Sequence, residues 1–207
     1  MNLSFDYGFI HPNCSIHQIS TEGYWIIVDN IFGENQTIEE FGDDVKAYLN
    51  LHYPGYTWNR RAFGDPAGCQ SSDKSRLSSQ QILRNMGFPV QSVPSNTALT
   101  NYAARKTIIE KKLRTLKNGI PELVVNDVIG NQIIIEGFEG GYRYPDATKY
   151  GAIKEAPVED GFFEHCFNTV EYFAINVFRA IDNKPRPQDR PRSIRNEREL
   201  TNAGFKY

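Results

Sequence analysis

Residues 3–30 read LSFDYGFIHPNCSIHQISTEGYWIIVDN, and the number of strands in them decides the fold. LSFD (3–6) is a short strand, and YGF begins the turn that follows it. SIHQIS (15–20) and GYWIIVDN (23–30) read as two more strands, rich in β-branched and aromatic residues and separated by Thr21-Glu22-Gly23. Three short strands in succession predict an antiparallel meander. Asp6 closes the first of them, where a sheet would hold its carboxylate rigidly at an open edge.

Beyond the meander the pattern changes to alternating helix and strand. Thr37, with Glu40 three residues on, forms a capping box. The helix it starts carries Phe41, Val45, Tyr48 and Leu49 on one side and stops before Pro54-Gly55. TWNRRAF (57–63) predicts a strand leading into GDPAG, residues 77–86 a short helix ended by Gly87, and PVQSVP (89–94) another strand. Residues 100–118 predict a long helix with Tyr102, Ile109, Leu113 and Leu116 as its buried stripe. Basic residues, Arg105 among them, cover much of the rest, and Asn118-Gly119 ends it. PELVVN (121–126) is the next strand. Residues 127–138 fit a strand or a buried helix equally well, and 141–161 a hairpin or irregular insertion. The last helix is expected over residues 162–181, with Phe163, Phe167, Val170, Ala174, Val177, Phe178 and Ile181 inward. This is the ribonuclease-H-like order, a mixed α/β fold. An antiparallel three-strand meander precedes parallel strands, with helices on both faces of the sheet.

The 207 residues suit one domain, 1–182, and a basic, Pro/Arg-rich tail, 183–207, expected to be flexible. A net charge of −2 neither marks nor excludes a nucleic-acid binder, because local patches matter more than the total. Cys14, Cys69 and Cys166 are odd in number and widely spaced, which argues for a reducing compartment over a disulfide framework or zinc site. No apolar run approaches the roughly 20 residues that span a bilayer, and no signal-peptide pattern opens the chain. A cytosolic protein without a membrane partner is expected.

Two aspartates carry the chemical interest. Asp6 precedes a turn, and Asp65 lies in GDPAG, where Pro66 blocks continuation of the ladder and glycines permit close approach. Each alone reads as an ordinary turn aspartate bonded to its own backbone. On adjacent strands they would repel unless a cation bridged them, and hard oxygen ligands select Mg2+ or Mn2+. DGFFEHCFNTVEY (160–172) adds to this. With Phe163 and Val170 inward, Glu164, His165, Asn168, Glu171 and Tyr172 fall on the polar side of the last helix. His165 and Asn168, three apart, lean toward one point. For an isolated helix this would be a solvated face.

The chain resembles the nuclease domain of the large terminase subunit, the DNA-packaging motor of tailed bacteriophages. The resemblance runs from residue 3 to about residue 180. It is carried by FDYGFIHPNCSIHQIS, YPGYTWNRRAFGDPAG, TNYAARKTIIEKKL, PELVVN, GYRYP and EAPVEDGFFEHCFNTVEYFA, in that order. It implies a ribonuclease-H-like endonuclease that cuts double-stranded DNA with two Mg2+ or Mn2+ ions. Asp6 and Asp65 match the first and second metal-binding acids, and His165 matches the histidine beside the metals. Asn168 falls on the third acid. That is a departure from the family pattern, since a neutral amide competes poorly for Mg2+; Glu164, Glu171 and Asp160 are the alternatives that could stand in. Arg60, Arg61, Arg143, Lys149 and Lys154 are the expected DNA contacts, with 141–161 as a DNA-facing flap.

No GxxxxGK[ST] phosphate loop occurs in the sequence, so the likeness is to the nuclease half of the motor alone. The implied partners are the terminase ATPase domain, the small terminase subunit and the portal, in the host cell cytoplasm. Two alternatives stay open: a catalytically weakened DNA- or portal-binding module, and another ribonuclease-H-like nuclease such as a resolvase.

Overall fold

The computed structural model describes residues 1–58, 60–69, 77–93, 101–143, 145, 157–158 and 161–178. Asp160, Lys149, Lys154, Ile181 and the tail 183–207 lie outside the described residues. β1 (Asn2–Asp6), β2 (Asn13–Ile19) and β3 (Trp25–Phe32) form the expected antiparallel meander. Alternation sorts their side chains. Leu3, Phe5, Cys14 and Ile16 enter one core, while Ser4, Asp6, Asn13, Ser15 and His17 turn to the other face. The register slips between Ile16 and His17. That bulge lets two consecutive residues, Val28 and Asp29, both face α1 (Ile38–His52).

α1 starts at the capping box of Thr37 and Glu40 and buries Phe41, Val45 and Leu49. Tyr48 reaches the sheet with its hydroxyl. Together with Tyr53 it donates to Asp29 Oδ2, at 2.7 and 2.8 Å. β4 spans only Ala62–Gly64, shorter than the expected 57–63, and pairs parallel with β1. α2 (Ser79–Asn85) and β5 (Val90–Gln91) follow, the latter parallel to β4 and again shorter than expected.

α3 (Tyr102–Arg114) ends before the sequence periodicity does. Asn118 and Gly119 adopt left-handed φ of 51° and 80° and turn a small hairpin of β6 (Leu116–Lys117) and β7 (Ile120–Pro121). Asn-Gly suits such a two-residue hairpin turn. The expected buried stripe therefore fails at its end: Leu116 is 60% exposed and Leu113 36%, while Ile109 is buried. β8 (Leu123–Val125) pairs parallel with β3, giving the sheet order β5-β4-β1-β2-β3-β8.

The ambiguous stretch 127–138 is helical. A 3-10 turn, Ile129–Asn131, leads into α4 (Gln132–Glu136) and a π turn, Gly137–Gly141. α5 (Phe163–Val177) lies across the sheet face opposite α1 and α2. Its Val170, Phe173 and Ala174 pack with Trp25, Ile27, Phe63, Ile109 and Ile134 in a second core. Helices thus cover both faces. No helix among the described residues is long and apolar enough to cross a membrane.

Candidate active site

Parallel pairing brings the two aspartates together. Leu3 lies opposite Ala62, Ser4 opposite Phe63 and Phe5 opposite Gly64, so the next step of the register sets Asp6 beside Asp65. The separation of neighbouring strands is about 4.8 Å. Both residues continue the alternation of Ser4 and Phe63, which turns them to the face covered by α5. Pro66 then ends β4 in a 3-10 turn, and Asp65 Oδ1 accepts from Ala67 N at 2.8 Å. The local turn bond and the shared strand end are thus both present at Asp65. Gly64 and Gly68 admit the ring of Tyr7 against the backbone, and a Cβ at either would collide with it.

The first turns of α5 supply the other two groups. His165 Nδ1 lies 3.1 Å from Asp6 Oδ2, and Asn168 Nδ2 donates to the same oxygen at 3.0 Å. Glu164 Oε1 is 3.7 Å from His165 Nε2, so the imidazole stands between two carboxylates. Asp6 is only 6% exposed. Burial raises the pKa of Asp65; the Ala67 hydrogen bond opposes this, the charge of Asp6 adds to it and Arg105 offsets it. The Tyr172 hydroxyl is pushed well up by burial and then by both aspartates. The two negative charges therefore act on one place.

Two clefts flank this place. One, of about 180 Å3, is lined by Asp65, Pro66, Ala67, Arg105 and Tyr172. The other, of about 160 Å3, is lined by Asn168, Glu164, Arg105, Tyr142 and Val158. Glu171 does not join the acids as a stand-in. It is 2% exposed, pairs with Arg105 Nη1 through Oε2 at 2.8 Å, and accepts from the Tyr142 hydroxyl at 3.2 Å. Burial lifts its pKa to about 7 against the pull of Arg105 and Tyr142, with Asp6 adding slightly.

The chain matches no protein family and no curated protein. It is similar to a solved structure, the crystal structure of the large terminase nuclease domain from bacteriophage SPP1 with bound Mn. The TM-score is 0.51 at 14% sequence identity, over 84% of each chain. The chain has the ribonuclease-H-like fold. At this identity the likeness speaks for the fold alone.

In this ribonuclease-H-like sheet the remaining sequence expectations separate. Arg60 and Arg61 precede β4 at the end opposite Asp65, and Arg61 O accepts from Leu3 N at 3.2 Å. They are not the neighbours of the acids that their spacing suggested, because the strand carries them away from its C-terminal end. Arg143 is exposed, and its carbonyl accepts from Val158 N at 2.9 Å, joining the described ends of the 141–161 segment beside the second cleft. Sequence reasoning missed Arg105 and Tyr142. A helical wheel with one wet face hid the pairing, since α5 is buried almost all round.

Among the described residues no three His, Cys, Asp or Glu side chains converge as a metal set. An imidazole and an amide meet one carboxylate, that of Asp6, and Asp65 stands one strand away. The donor chemistry fits one hard divalent cation at Asp6 and Asp65; burial raises the pKa of Asp65 and the charge of Asp6 adds to it. It does not furnish a third acid, because Asn168 presents its amino group to Asp6.

Proposed function

We propose that this chain is a divalent-metal-dependent DNA endonuclease, the nuclease domain of a phage terminase large subunit. The reading rests on one observation above all. Asp6 ends β1 and Asp65 directly follows the parallel neighbour β4 on the same face, and α5 brings His165 and Asn168 to Asp6. Asp6 and Asp65 would hold Mg2+ or Mn2+. When bound, such an ion supplies Lewis-acid polarisation of a phosphoryl oxygen and lowers the pKa of its water.

The chain's own groups do the rest. His165, fixed by Asp6 and facing Glu164, is set to accept or return a proton at its imidazole. Asn168 neutralises part of the charge on Asp6 Oδ2 by hydrogen bonding. Hydrolysis forms a bond from water oxygen to phosphorus and breaks the bond from phosphorus to the 3′ oxygen, leaving 5′-phosphate and 3′-hydroxyl ends. Arg143, joined through its carbonyl to Val158 at the Asn168 cleft, would face the duplex; most of the segment 141–161 expected as a flap lies outside the described residues. The ATPase domain, the small terminase subunit and the portal are the partners this reading carries.

Supercoiled plasmid incubated with Mn2+ tests it. Nicked and linear products are expected from the wild type and none from Asp65→Ala. Metal-dependent cutting that survives both Asp6→Ala and Asp65→Ala removes the assignment. Asn168 favours a second reading, a weakened nuclease that binds DNA, because a neutral group stands at the third acid position. A gel shift without any cleavage would select it.

A further inference from the structure

Sequence periodicity puts Arg105 on the solvated side of α3, but the structure turns it inward, with its side chain 16% exposed. The Tyr102 and Tyr172 rings lie 6.0 and 5.7 Å from its guanidinium carbon. Cation–π attraction of this kind restrains the guanidinium. Nη1 is taken by Glu171, while the buried Nε has no hydrogen-bond acceptor among the described residues. The same side chain lines both clefts, the one that includes Asp65 and the one that includes Asn168. An arginine needed only to neutralise Glu171 has no reason to border both cavities with a donor unused.

We infer that Arg105 is a phosphate-binding residue of this site, contacting a backbone phosphate of the bound strand with the terminal Nη donors that Glu171 leaves over. Planar N–H forks match phosphate oxygens, and a cation here lines the same clefts as Asp65 and Asn168. Glu171 is the competitor: it pre-orients the guanidinium and holds down its affinity for a second anion. The inference rests on the nuclease reading for its substrate, DNA, but not on cleavage.

The test uses the full chain, a short fluorescein-labelled duplex, Ca2+ in place of Mn2+ and a salt series read by anisotropy. At pH 8, where Glu171 is ionised, Glu171→Gln keeps an acceptor for Arg105 and removes the competing charge, so binding should tighten several-fold. The double variant Arg105→Gln/Glu171→Gln keeps a neutral hydrogen-bonding pair in the buried position. Its binding should weaken roughly tenfold, with the salt slope reduced by about one. Arg105→Lys should keep the salt slope while losing part of the affinity. If the double variant melts like the wild type and binds with unchanged affinity and slope, the inference falls, even where Mn2+-dependent cutting is intact. A protein that shows the Arg105-dependent slope yet never cuts keeps this inference and loses the nuclease reading. One that neither binds nor cuts loses both.

Discussion

Replacing Asn168 by aspartate tests the site through stability, independently of catalysis. Asn168 Nδ2 donates to Asp6 Oδ2 at 3.0 Å, so Asn168→Asp puts an acceptor oxygen where a donor stood. Two unit charges about 3 Å apart at an effective dielectric of about 20 repel by about 5 kcal/mol. Protonation caps that cost, because keeping one aspartate neutral at pH 7 requires about 4 kcal/mol. His165, 3.1 Å from the same oxygen, can take a proton and offset part of it. A loss of about 2–4 kcal/mol in chelator is therefore expected, which lowers the melting temperature of a chain this size by roughly 10 °C. Mn2+ should reverse the order. A carboxylate adds a charged oxygen to the cation site, so the metal-induced rise must be larger in Asn168→Asp than in the wild type. Thermal melts with EDTA and with a Mn2+ series measure both effects. Coincident melts in EDTA, or equal rises with Mn2+, would show that residue 168 does not face the ion.

Glu171 has its pKa raised from an ordinary 4.5 to about 7, so the folded chain holds a proton there that the unfolded chain releases, and stability falls as pH rises through that window. Denaturation at pH 5 and pH 8 should show a loss of up to about 3 kcal/mol in the wild type that Glu171→Gln lacks. Tyr48→Phe/Tyr53→Phe strips Asp29 Oδ2 of both hydroxyl donors while leaving it 3% exposed, and should cost about 2–4 kcal/mol in urea denaturation; a cost near zero would mean that water replaces them. Gly64→Ala sets a methyl group against the Tyr7 ring at the step before Asp65, and should abolish any Mn2+-induced stabilisation while the chain still folds, as judged by circular dichroism. Isothermal titration of the wild type with Mn2+ in the absence of DNA should give one site per chain, and two would contradict the charge count of the site.

The meander and the first helix were legible because local chemistry and global fold agree there. Alternating apolar residues in LSFD and SIHQIS meet a buried sheet, and Thr37 with Glu40 caps where it should. The placement of Asp6 and Asp65 at neighbouring strand ends was legible for a related reason: Gly8 lies two residues past Asp6, and Pro66 follows Asp65. The failures share a physical origin as well. Periodicity carried α3 through Leu116, but the turn preference of Asn118-Gly119 outweighed it and paid out the end of the helix into a hairpin. Arg60 and Arg61 looked near Asp65 in sequence, yet an extended strand advances about 3.3 Å per residue and sets them at its far end. Glu171 looked solvated because a wheel assigns one wet face, whereas α5 is enclosed by the sheet, α3 and α4. Nothing in the linear sequence announces that Arg105 meets it.

On the nuclease reading, Asn168 also decides how much positive charge the site can accept. Asp6 and Asp65 supply two negative charges, which one divalent cation balances. A third carboxylate at residue 168 would leave a negative surplus that attracts a second ion before DNA arrives. The amide removes that surplus and gives Asp6 a hydrogen bond instead, while Glu164 is held 3.7 Å from the His165 ring and Glu171 is committed to Arg105. A second cation would then gain its counter-charge from the phosphodiester itself. On this reading an asparagine at residue 168 does not by itself remove the chemistry. It makes the assembly of the site depend on substrate, so the duplex and the metal should each raise the affinity for the other by the same factor.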